Sequence, residues 1–144
     1  MEIIQGSFSE ALEVLKRLPE FDPLLPTNHY YQRMEGRKQL ILLAKENDIA
    51  VGCKVAYDRF EDGTLYSWLG GVIPEFRNQG LAKRMALIQE ECALENGFEA
   101  IRFKTLNRHR AMLTFSISNG FQIFNVKPKD ELDNYRIELI KYLK

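Results

Sequence analysis

The sequence predicts an α/β fold in which helices pack against a mixed β-sheet. Segments rich in β-branched and aromatic residues are interspersed with segments of helical apolar spacing, in the order β-α-α-β-β-β-α-β-α-β-β. The strand–helix–strand unit over residues 64–105 indicates a parallel pair with a right-handed crossover. Because no repeat, low-complexity tract or Pro/Gly-rich linker divides the chain, we expect one domain over residues 1–144.

Turn signals bound the predicted strands. The turn Glu46-Asn47-Asp48 separates the second and third strands, and Asp62-Gly63 indicates a hairpin before the fourth. Gly70-Gly71 inside the fourth strand indicates either a β-bulge or a close backbone approach, and Pro74 ends that strand. The strands are expected at residues 2–5, 39–45, 49–57, 64–72, 100–105, 121–126 and 135–143.

Capping and stop signals define the predicted helices. Ser7 and Glu10 have the spacing of a capping box, and Thr27 and Asn107 are expected to cap the second and last helices. The Asn-Gly pairs at 96–97 and 119–120 are expected to end the last two helices. The helices are expected at residues 8–18, 28–34, 81–95 and 108–118, with an irregular Pro-containing segment between the first two.

Composition argues against several classes of protein. Twenty basic residues balance twenty acidic ones, which is unlike a nucleic-acid-binding domain. No apolar run approaches the roughly 20 residues that cross a bilayer, and the first residues do not resemble a signal peptide. Cys53 and Cys92 lack metal-ligand spacing and are expected to be reduced, buried thiols. We therefore expect a cytoplasmic protein without a metal and without a nucleic-acid or membrane partner.

The clearest functional signal is the turn Arg77-Asn78-Gln79-Gly80-Leu81-Ala82, between the fourth strand and the third helix. A strand that enters a helix through such a turn directs unpaired backbone N–H groups at one point, where the helix dipole adds positive potential. This arrangement suits a phosphate or pyrophosphate. Gly80 permits a close approach of the ligand, Ala82 keeps the next position small, and Arg77 and Lys83 are expected to add mobile positive charge.

The turn has the pattern [Gln/Arg]-x-x-Gly-x-[Gly/Ala], which resembles the acetyl-CoA pyrophosphate loop of the GNAT superfamily of N-acetyltransferases. Asn107 after the fifth strand and Gly120-Phe121 before the sixth also resemble that family, and the similarity extends over residues 38–126. The resemblance implies a mixed, mostly antiparallel sheet of six to seven strands, splayed at the cofactor site, with helices on both faces. The chain lacks the Gly-x-Gly-x-x-Gly fingerprint and the Gly-Lys-Ser/Thr of a P-loop, which argues against those nucleotide-binding folds.

The resemblance also implies transfer of an acetyl group from acetyl-CoA to an amine by direct attack in a ternary complex. The pantetheine arm would lie along the fourth strand, and a backbone N–H near Gly71 or Val72 would donate to the thioester carbonyl. Lys104, Arg108 and Arg110 would meet the adenosine 3′-phosphate or form a solvated helix start. The implied cofactor-binding residues are Gly71, Val72, Ile73, Arg77, Asn78, Gln79, Gly80, Leu81, Ala82, Lys83, Asn107 and Phe115.

The expected catalytic residues depart from the family. A tyrosine acid often stands four residues before the Gly of the Gly-Phe pair, and this chain has Ser116 there. Ser116 either orients a water molecule or is an ordinary hydroxyl on the helix surface. The thiolate of CoA can also leave without a protein acid. The topology offers several ionisable groups as a general base, of which Glu75 is the first candidate. Each of them can also be an ordinary solvated surface charge. Those groups are Glu75, Asp58, Glu61 and His109.

The acceptor pocket of the family forms near the second helix, which makes His29 and Tyr30 candidate substrate-binding residues, together with Tyr66 and Trp68 on the central strand. A small-molecule or peptide amine is the expected acceptor, and the protein is expected to be a monomer or homodimer. Two alternatives stay open. One is a non-catalytic acyl-CoA sensor on the same fold, which Ser116 favours; the other is an interaction module that uses the region of Phe21 and Tyr30-Tyr31.

Overall fold

The structure, a computed structural model, describes residues 1–143 of the chain. Within those residues the chain forms seven strands and four α-helices. The strands are β1 (Glu2–Gln5), β2 (Gln39–Glu46), β3 (Ile49–Tyr57), β4 (Thr64–Val72), β5 (Ala100–Leu106), β6 (Gln122–Lys127) and β7 (Arg136–Tyr142). The helices are α1 (Phe8–Leu15), α2 (Thr27–Met34), α3 (Leu81–Glu95) and α4 (Arg110–Ser118).

One sheet contains all of these strands, in the order β1-β2-β3-β4-β5-β7-β6. Neighbouring strands are antiparallel except β4 and β5, which are parallel and are joined by α3. The predicted mixed, mostly antiparallel sheet is therefore confirmed. The last strand in the sequence, β7, lies between β5 and β6, so β6 is an edge strand.

The helices cover both faces of the sheet, as predicted. A methyl group at Gly52 of β3 would lie 3.2 Å from Met85 Cε of α3. A methyl group at Gly71 of β4, which points to the opposite face, would lie 2.7 Å from Leu18 Cδ1, just beyond α1. Helix α4 packs through Leu113 on Phe103 and Leu139, and Phe103 lies on the same face as Ile101, which packs with α3. Helices α3 and α4 therefore share one face, while α1 occupies the other.

The first helix begins as the sequence indicates and ends earlier. Ser7 Oγ accepts a hydrogen bond from the Glu10 N–H at 3.3 Å, and Glu10 Oε1 accepts one from the Ser7 N–H at 3.1 Å, which confirms the capping box. The helix ends at Leu15, although the prediction extended it to residue 18. Pro19 explains the difference, because its ring clashes with a helical carbonyl four residues earlier.

Two predicted helix caps are wrong. Thr27 is the first residue of α2, and Pro26 holds the cap position with no side-chain hydrogen bond. Helix α4 begins at Arg110, and its cap position belongs to His109. Asn107 lies too far back to reach the first turn of α4, and its side chain instead donates to Leu132 O at 3.0 Å.

The Gly70-Gly71 pair marks a close backbone approach, which was one of its two predicted meanings. A methyl group at Gly70 would lie 2.9 Å from the backbone oxygen of Cys53 on β3. The bulge is nearby but separate: Val55 pairs with Leu69 and Ala56 with Ser67, so Trp68 is the extra residue of β4. This extra residue bends β4 immediately before the glycine pair.

Strands β4 and β5 stay paired for only part of their length. Their register runs from Thr64 opposite Ala100 to Tyr66 opposite Arg102, whereas β4 continues to Val72 and β5 to Leu106. The two strands therefore diverge beyond this point, which confirms the predicted splay. Within residues 1–143, the edge of β4 over residues 67–72 has no strand partner on the β5 side.

We expect Leu65→Ala to destabilise the fold by about 2–5 kcal/mol. Leu65 is fully buried against Cys92, Ala93 and Ile101, at the point where α3 closes over the paired part of β4 and β5. Leu132→Ala is the matched control, because Leu132 is 68% exposed, and it should change the free energy of unfolding by no more than about 0.5 kcal/mol. Urea unfolding measures both changes. Similar losses for the two variants would contradict this description of the core.

Candidate functional site

A cleft of about 930 Å³ opens where β4 and β5 diverge. One wall is formed by β4 from Ser67 to Val72 and by the start of α3, and the other by β5 and α4. Both Phe103 and its neighbour Lys104 line the cleft, although consecutive strand residues point to opposite faces. The cleft therefore passes through the sheet, from the face covered by α3 and α4 to the face covered by α1.

The turn before α3 presents a row of unpaired donors to this cleft. No hydrogen bond among residues 1–143 uses the backbone N–H groups of residues 78–83. Asn78 and Gly80 adopt left-handed conformations, with φ of 63° and 81°, and turns with such residues form concave sites in which successive N–H groups bind an anion. The 15-residue helix α3 begins at the same place, so its dipole adds positive potential. The arrangement is suited to an anion such as a pyrophosphate.

Most of the predicted turn residues line the cleft. Asn78, Gly80, Ala82 and Lys83 do so and are exposed, and no atom lies within 4 Å of the position that a Cβ at Gly80 would occupy. Leu81 also lines the cleft but is buried, and it fixes the first turn of α3 in the core. Gln79 is exposed at the tip of the turn.

Arg77 does not supply the mobile charge that the sequence suggested. Its Nε donates to Val72 O at 2.7 Å, and its Nη2 donates to both carboxylate oxygens of Glu20, at 2.9 and 2.7 Å. Glu20 lies in the single 3₁₀ turn Pro19–Phe21 that follows α1. Arg77 therefore ties the turn before α3 to the end of β4 and to a segment on the opposite face of the sheet.

The unpaired edge of β4 supplies backbone donors along the cleft. The Ile73 N–H donates to Val51 O of β3 at 2.9 Å. Because the N–H groups of successive residues in a strand point to opposite edges, those of Val72 and Gly70 point toward the diverging strand β5, and that of Gly71 points toward β3. The sequence prediction placed the donor to the thioester near Gly71 or Val72. Of these two residues, Val72 has its N–H on the β5 side, as Gly70 does.

Ser116 lies in the cleft, as the comparison of motifs suggested. It is buried, and its Oγ donates to Met112 Sδ one turn earlier at 3.7 Å. The partly buried ring of Phe115 also lines the cleft. Ser116 is therefore placed beside the space between β4 and β5, and its hydroxyl has a weak acceptor that a water or ligand atom can replace.

The ionisable groups proposed as bases are dispersed. Glu75 is exposed on the turn that follows β4 and does not line the cleft. Asp58 Oδ1 accepts a hydrogen bond from the Glu61 N–H at 3.1 Å, which shapes the β3–β4 loop. His109 does line the cleft, with Nδ1 3.0 Å from Thr105 Oγ1. His109 is thus the one group of this set that borders the space where a ligand can lie.

The aromatic residues proposed for the acceptor lie together on the α1 face of the sheet. Tyr30 is buried, its Oη accepts from the Leu25 N–H at 3.1 Å, and its ring lies 5.7 Å from Trp68. The Tyr66 ring is buried 5.8 Å from Tyr57. His29 packs on Tyr30 with ring centroids 5.6 Å apart. Trp68, at the bulge of β4, is the member of this set that lines the cleft.

The basic residues proposed for the adenosine 3′-phosphate do not converge. Lys104 points to the face opposite Phe103, away from α4. Arg108 Nη1 donates to Asn134 Oδ1 at 2.6 Å, and Arg110 is exposed on the first turn of α4.

A charged group inside the cleft was missed by the sequence prediction. Glu90 of α3 forms an ion pair with Lys141 of β7 at 3.0 Å, and the half-buried Lys54 of β3 lies close enough to Glu90 to interact with it. Burial lowers the pKa of Lys54, whereas the negative charge of Glu90 opposes that change. A lysine in the middle of an apolar strand was a signal for this site.

The chain belongs to the acetyltransferase (GNAT) family, whose sequence model matches residues 7–121. The structure is similar to that of the ribosomal-protein-S18-alanine N-acetyltransferase from Escherichia coli, with a TM-score of 0.79 and 13% identity over 99% of this chain and 94% of that one. It is also similar to a GNAT family acetyltransferase from Elizabethkingia anophelis with acetyl-CoA bound, with a TM-score of 0.77 and 17% identity over 98% and 97% of the two chains.

A Bacillus subtilis acetyltransferase in complex with CoA is similar as well, with a TM-score of 0.76 and 17% identity over 99% of each chain. No curated protein matches the chain by sequence. At these identities the structural similarity shows the shared fold. Among residues 1–143 no helix is long and apolar enough to cross a membrane, and no three His, Cys, Asp or Glu side chains gather as metal ligands.

Cys53 borders the cleft but is not suited to act as a nucleophile. Burial raises the pKa of the Cys53 thiol from 9.0 to about 12, so the thiol is protonated near neutral pH. In the unfolded chain the thiol ionises at an ordinary pKa of about 8.5. The protonated form therefore stabilises the folded state at low pH, and this contribution is lost as the pH rises from about 9 toward 12.

Between pH 8 and pH 10, we expect the free energy of unfolding of the native protein to fall by about 1–2 kcal/mol relative to that of Cys53→Ala. The variant lacks the thiol that ionises on unfolding, and the other titrating groups are common to both proteins. Urea unfolding at the two pH values measures the change. A difference that does not vary with pH would mean that the Cys53 pKa is not raised in the folded protein.

Proposed function

We propose that this protein binds acetyl-CoA in the cleft between β4 and β5 and transfers its acetyl group to the amine of an acceptor. The observation that carries the proposal is the continuity of two sets of donors: the unpaired N–H groups of residues 78–83 and the unpaired edge of β4 border one cleft. Neither set has a structural use within residues 1–143. Together they fit a ligand with a pyrophosphate at one end and an amide-containing arm.

In this proposal the turn before α3 binds the pyrophosphate through its backbone N–H groups, with Lys83 adding charge at the rim. The pantetheine arm extends along β4 in place of the missing part of β5. It pairs with the Val72 N–H, while Val72 O is already used by Arg77. Arg77 then holds the binding turn in position, and Glu20 in turn fixes the guanidinium of Arg77.

The Gly70 N–H is suited to donate to the thioester carbonyl oxygen, which gains negative charge as the amine attacks. A preformed donor of this kind is typically worth about 3–4 kcal/mol of barrier. The amine nitrogen forms a bond to the carbonyl carbon, the carbon–sulfur bond breaks, and the proton lost by the amine ends on the sulfur of CoA. Holding both reactants in one cleft supplies much of the acceleration, so no covalent intermediate on the protein is needed.

A second candidate function is an acyl-CoA sensor without catalysis. Ser116 stands at the position where the family often has a tyrosine, and a serine hydroxyl is a poor acid near neutral pH. Its Oγ donates to Met112 Sδ, a weak acceptor, so the hydroxyl can turn toward a water or a ligand atom, but it is a much weaker acid than a tyrosine. An enzyme with this site releases the thiolate through water or without a proton donor.

The pair Gly80→Asp and Gly80→Asn tests the binding site. Both side chains have similar size and tolerate the left-handed conformation of residue 80, and the space around Gly80 is open. Only Asp places negative charge among the phosphate donors, so it should weaken acetyl-CoA binding by about tenfold or more relative to Asn. Calorimetric titration measures both affinities, and thermal unfolding checks that both variants are folded.

Release of free CoA thiol with a panel of amines then separates the two functions. An enzyme shows release that depends on the amine and that falls with affinity in Gly80→Asp. Binding of acetyl-CoA with no amine-dependent release would support the sensor, and equal affinities of Gly80→Asp and Gly80→Asn would remove the turn from the binding site.

A further inference from the structure

The cleft opens on the second face of the sheet between residues of opposite character. On the β4 side it is bordered by Trp68 and Leu69, and on the β5–β7 side by Lys104 and Arg136. Arg59, two residues beyond the end of β3, lies near Lys104, with its guanidinium carbon 4.9 Å from the centre of the Tyr66 ring. The path from this face to the unpaired edge of β4 therefore passes a group of basic side chains.

The charge of this opening is not compensated by the chain itself. Arg59, Lys104 and Arg136 have no carboxylate within 4.0 Å among residues 1–143. The nearby acid, Glu138, is already occupied. It is buried and accepts a hydrogen bond from Asn125 at 2.7 Å, and it pairs with other cations at the same sheet surface. Those cations are Arg102 at 3.2 Å and Lys127 at 3.6 Å.

The basic side chains are held in place by aromatic rings. The guanidinium of Arg102 lies 3.9 Å from the centre of the Phe60 ring and 5.0 Å from that of Phe124. Arg59 lies 5.2 Å from the Phe60 ring as well as over Tyr66. Cation–π contacts of this kind hold a guanidinium without neutralising it, so the charge of Arg59 stays available to a ligand, whereas Arg102 is paired with Glu138 and Asp62.

Burial and like charges together disfavour the charged form of Lys104. Burial lowers its pKa, Arg59, Lys127 and Arg136 lower it further, and Glu138 acts in the opposite direction. Cations that outnumber the acids beside them repel one another, and the binding of an anion relieves that repulsion. An anionic group of a ligand that binds between these basic side chains would explain why they lie so close together.

We propose that the acceptor is a small amine that also carries an anionic group, such as a carboxylate, and that Lys104, Arg136 and Arg59 bind this group. The inference rests on the proposed function, because the acceptor amine must enter from the face opposite α3 to reach a thioester held at Gly70. The anion then anchors one end of the acceptor on β5 and β7, and the amine extends through the gap toward β4. Arg102 and Glu138 form the fixed floor of this anion site.

Paired acceptors test the proposal. Amino acids are compared with their carboxamides, and phosphoethanolamine is compared with ethanolamine, in steady-state release of CoA thiol. We expect kcat/KM to be at least tenfold higher for the anionic member of at least one kind of pair, and the two kinds distinguish a carboxylate from a phosphate. The amine of an amino-acid carboxamide is less basic than that of the acid and is more often neutral, so amine ionisation alone would favour the carboxamide.

Lys104→Gln and Arg136→Gln should each reduce kcat/KM for the anionic acceptor at least tenfold and move the acid-to-amide ratio toward one, while KM for acetyl-CoA stays unchanged. Arg136→Lys should restore part of the ratio. Lys129→Gln, at an exposed site in the β6–β7 connection, is the control and should change neither value. A ratio near one in the native protein, or a ratio that the two Gln variants leave unchanged, would overturn the proposal.

Direct binding separates this inference from the proposed function. If acetyl-CoA binds but no amine is turned over, titration of the same pairs into the CoA-saturated protein gives the answer: the anionic member must bind at least tenfold more tightly than its neutral partner. Equal binding of both members, or binding of neither, would reject the anion site. Failure of acetyl-CoA itself to bind would reject the proposed function, whatever the acceptor pairs show.

Discussion

The separation of β4 and β5 is the constraint on which the site depends. Their pairing stops at Tyr66 and Arg102, and the remainder of β4 keeps one edge without a strand. An exposed row of backbone donors and acceptors is normally paired or covered. Here it borders a cleft that passes between the strands, and α3 and α4 close that cleft on one face of the sheet. The family shares this fold, and the architecture supplies a place where a backbone-like arm can add to the edge of β4.

The two ends of the cleft differ in the kind of hydrogen-bond donor that they offer. On the α3 side, the donors are backbone N–H groups at a helix start, reinforced by a turn that Arg77 braces against Val72 and Glu20. On the opposite side, the donors are long basic side chains of β5, β7 and the end of β3. A ligand with phosphates suits the first end, because a helix N-terminus binds them without side-chain ordering. The second end carries its charge on side chains rather than on backbone groups, which suits the anionic group of the acceptor that we propose.

Local signals were enough to predict much of this fold. The bounds of β3, β4 and α3 agree with the prediction. Pro74, Gly80 and the Asn96-Gly97 pair mark element ends through their own backbone preferences, which do not depend on distant residues. Features that depend on distant partners were not predictable. Glu20 lies 57 residues from Arg77, so the loss of Arg77 as a mobile charge could not be inferred. The direction of the Gly70 and Val72 N–H groups required the strand register, and the basic opening required β7 to lie between β5 and β6.

We propose that acetyl-CoA binds through backbone N–H groups on the turn before α3 and on the unpaired edge of β4. Amide NMR spectra recorded during a titration with acetyl-CoA test this binding most directly, because they report each N–H group separately. We expect the largest shifts at residues 78–83, with further shifts at Gly70 and Val72 and smaller ones at Gly71, whose N–H points toward β3. Shifts confined to the α1 face, or saturable binding that leaves residues 78–83 unperturbed, would contradict it.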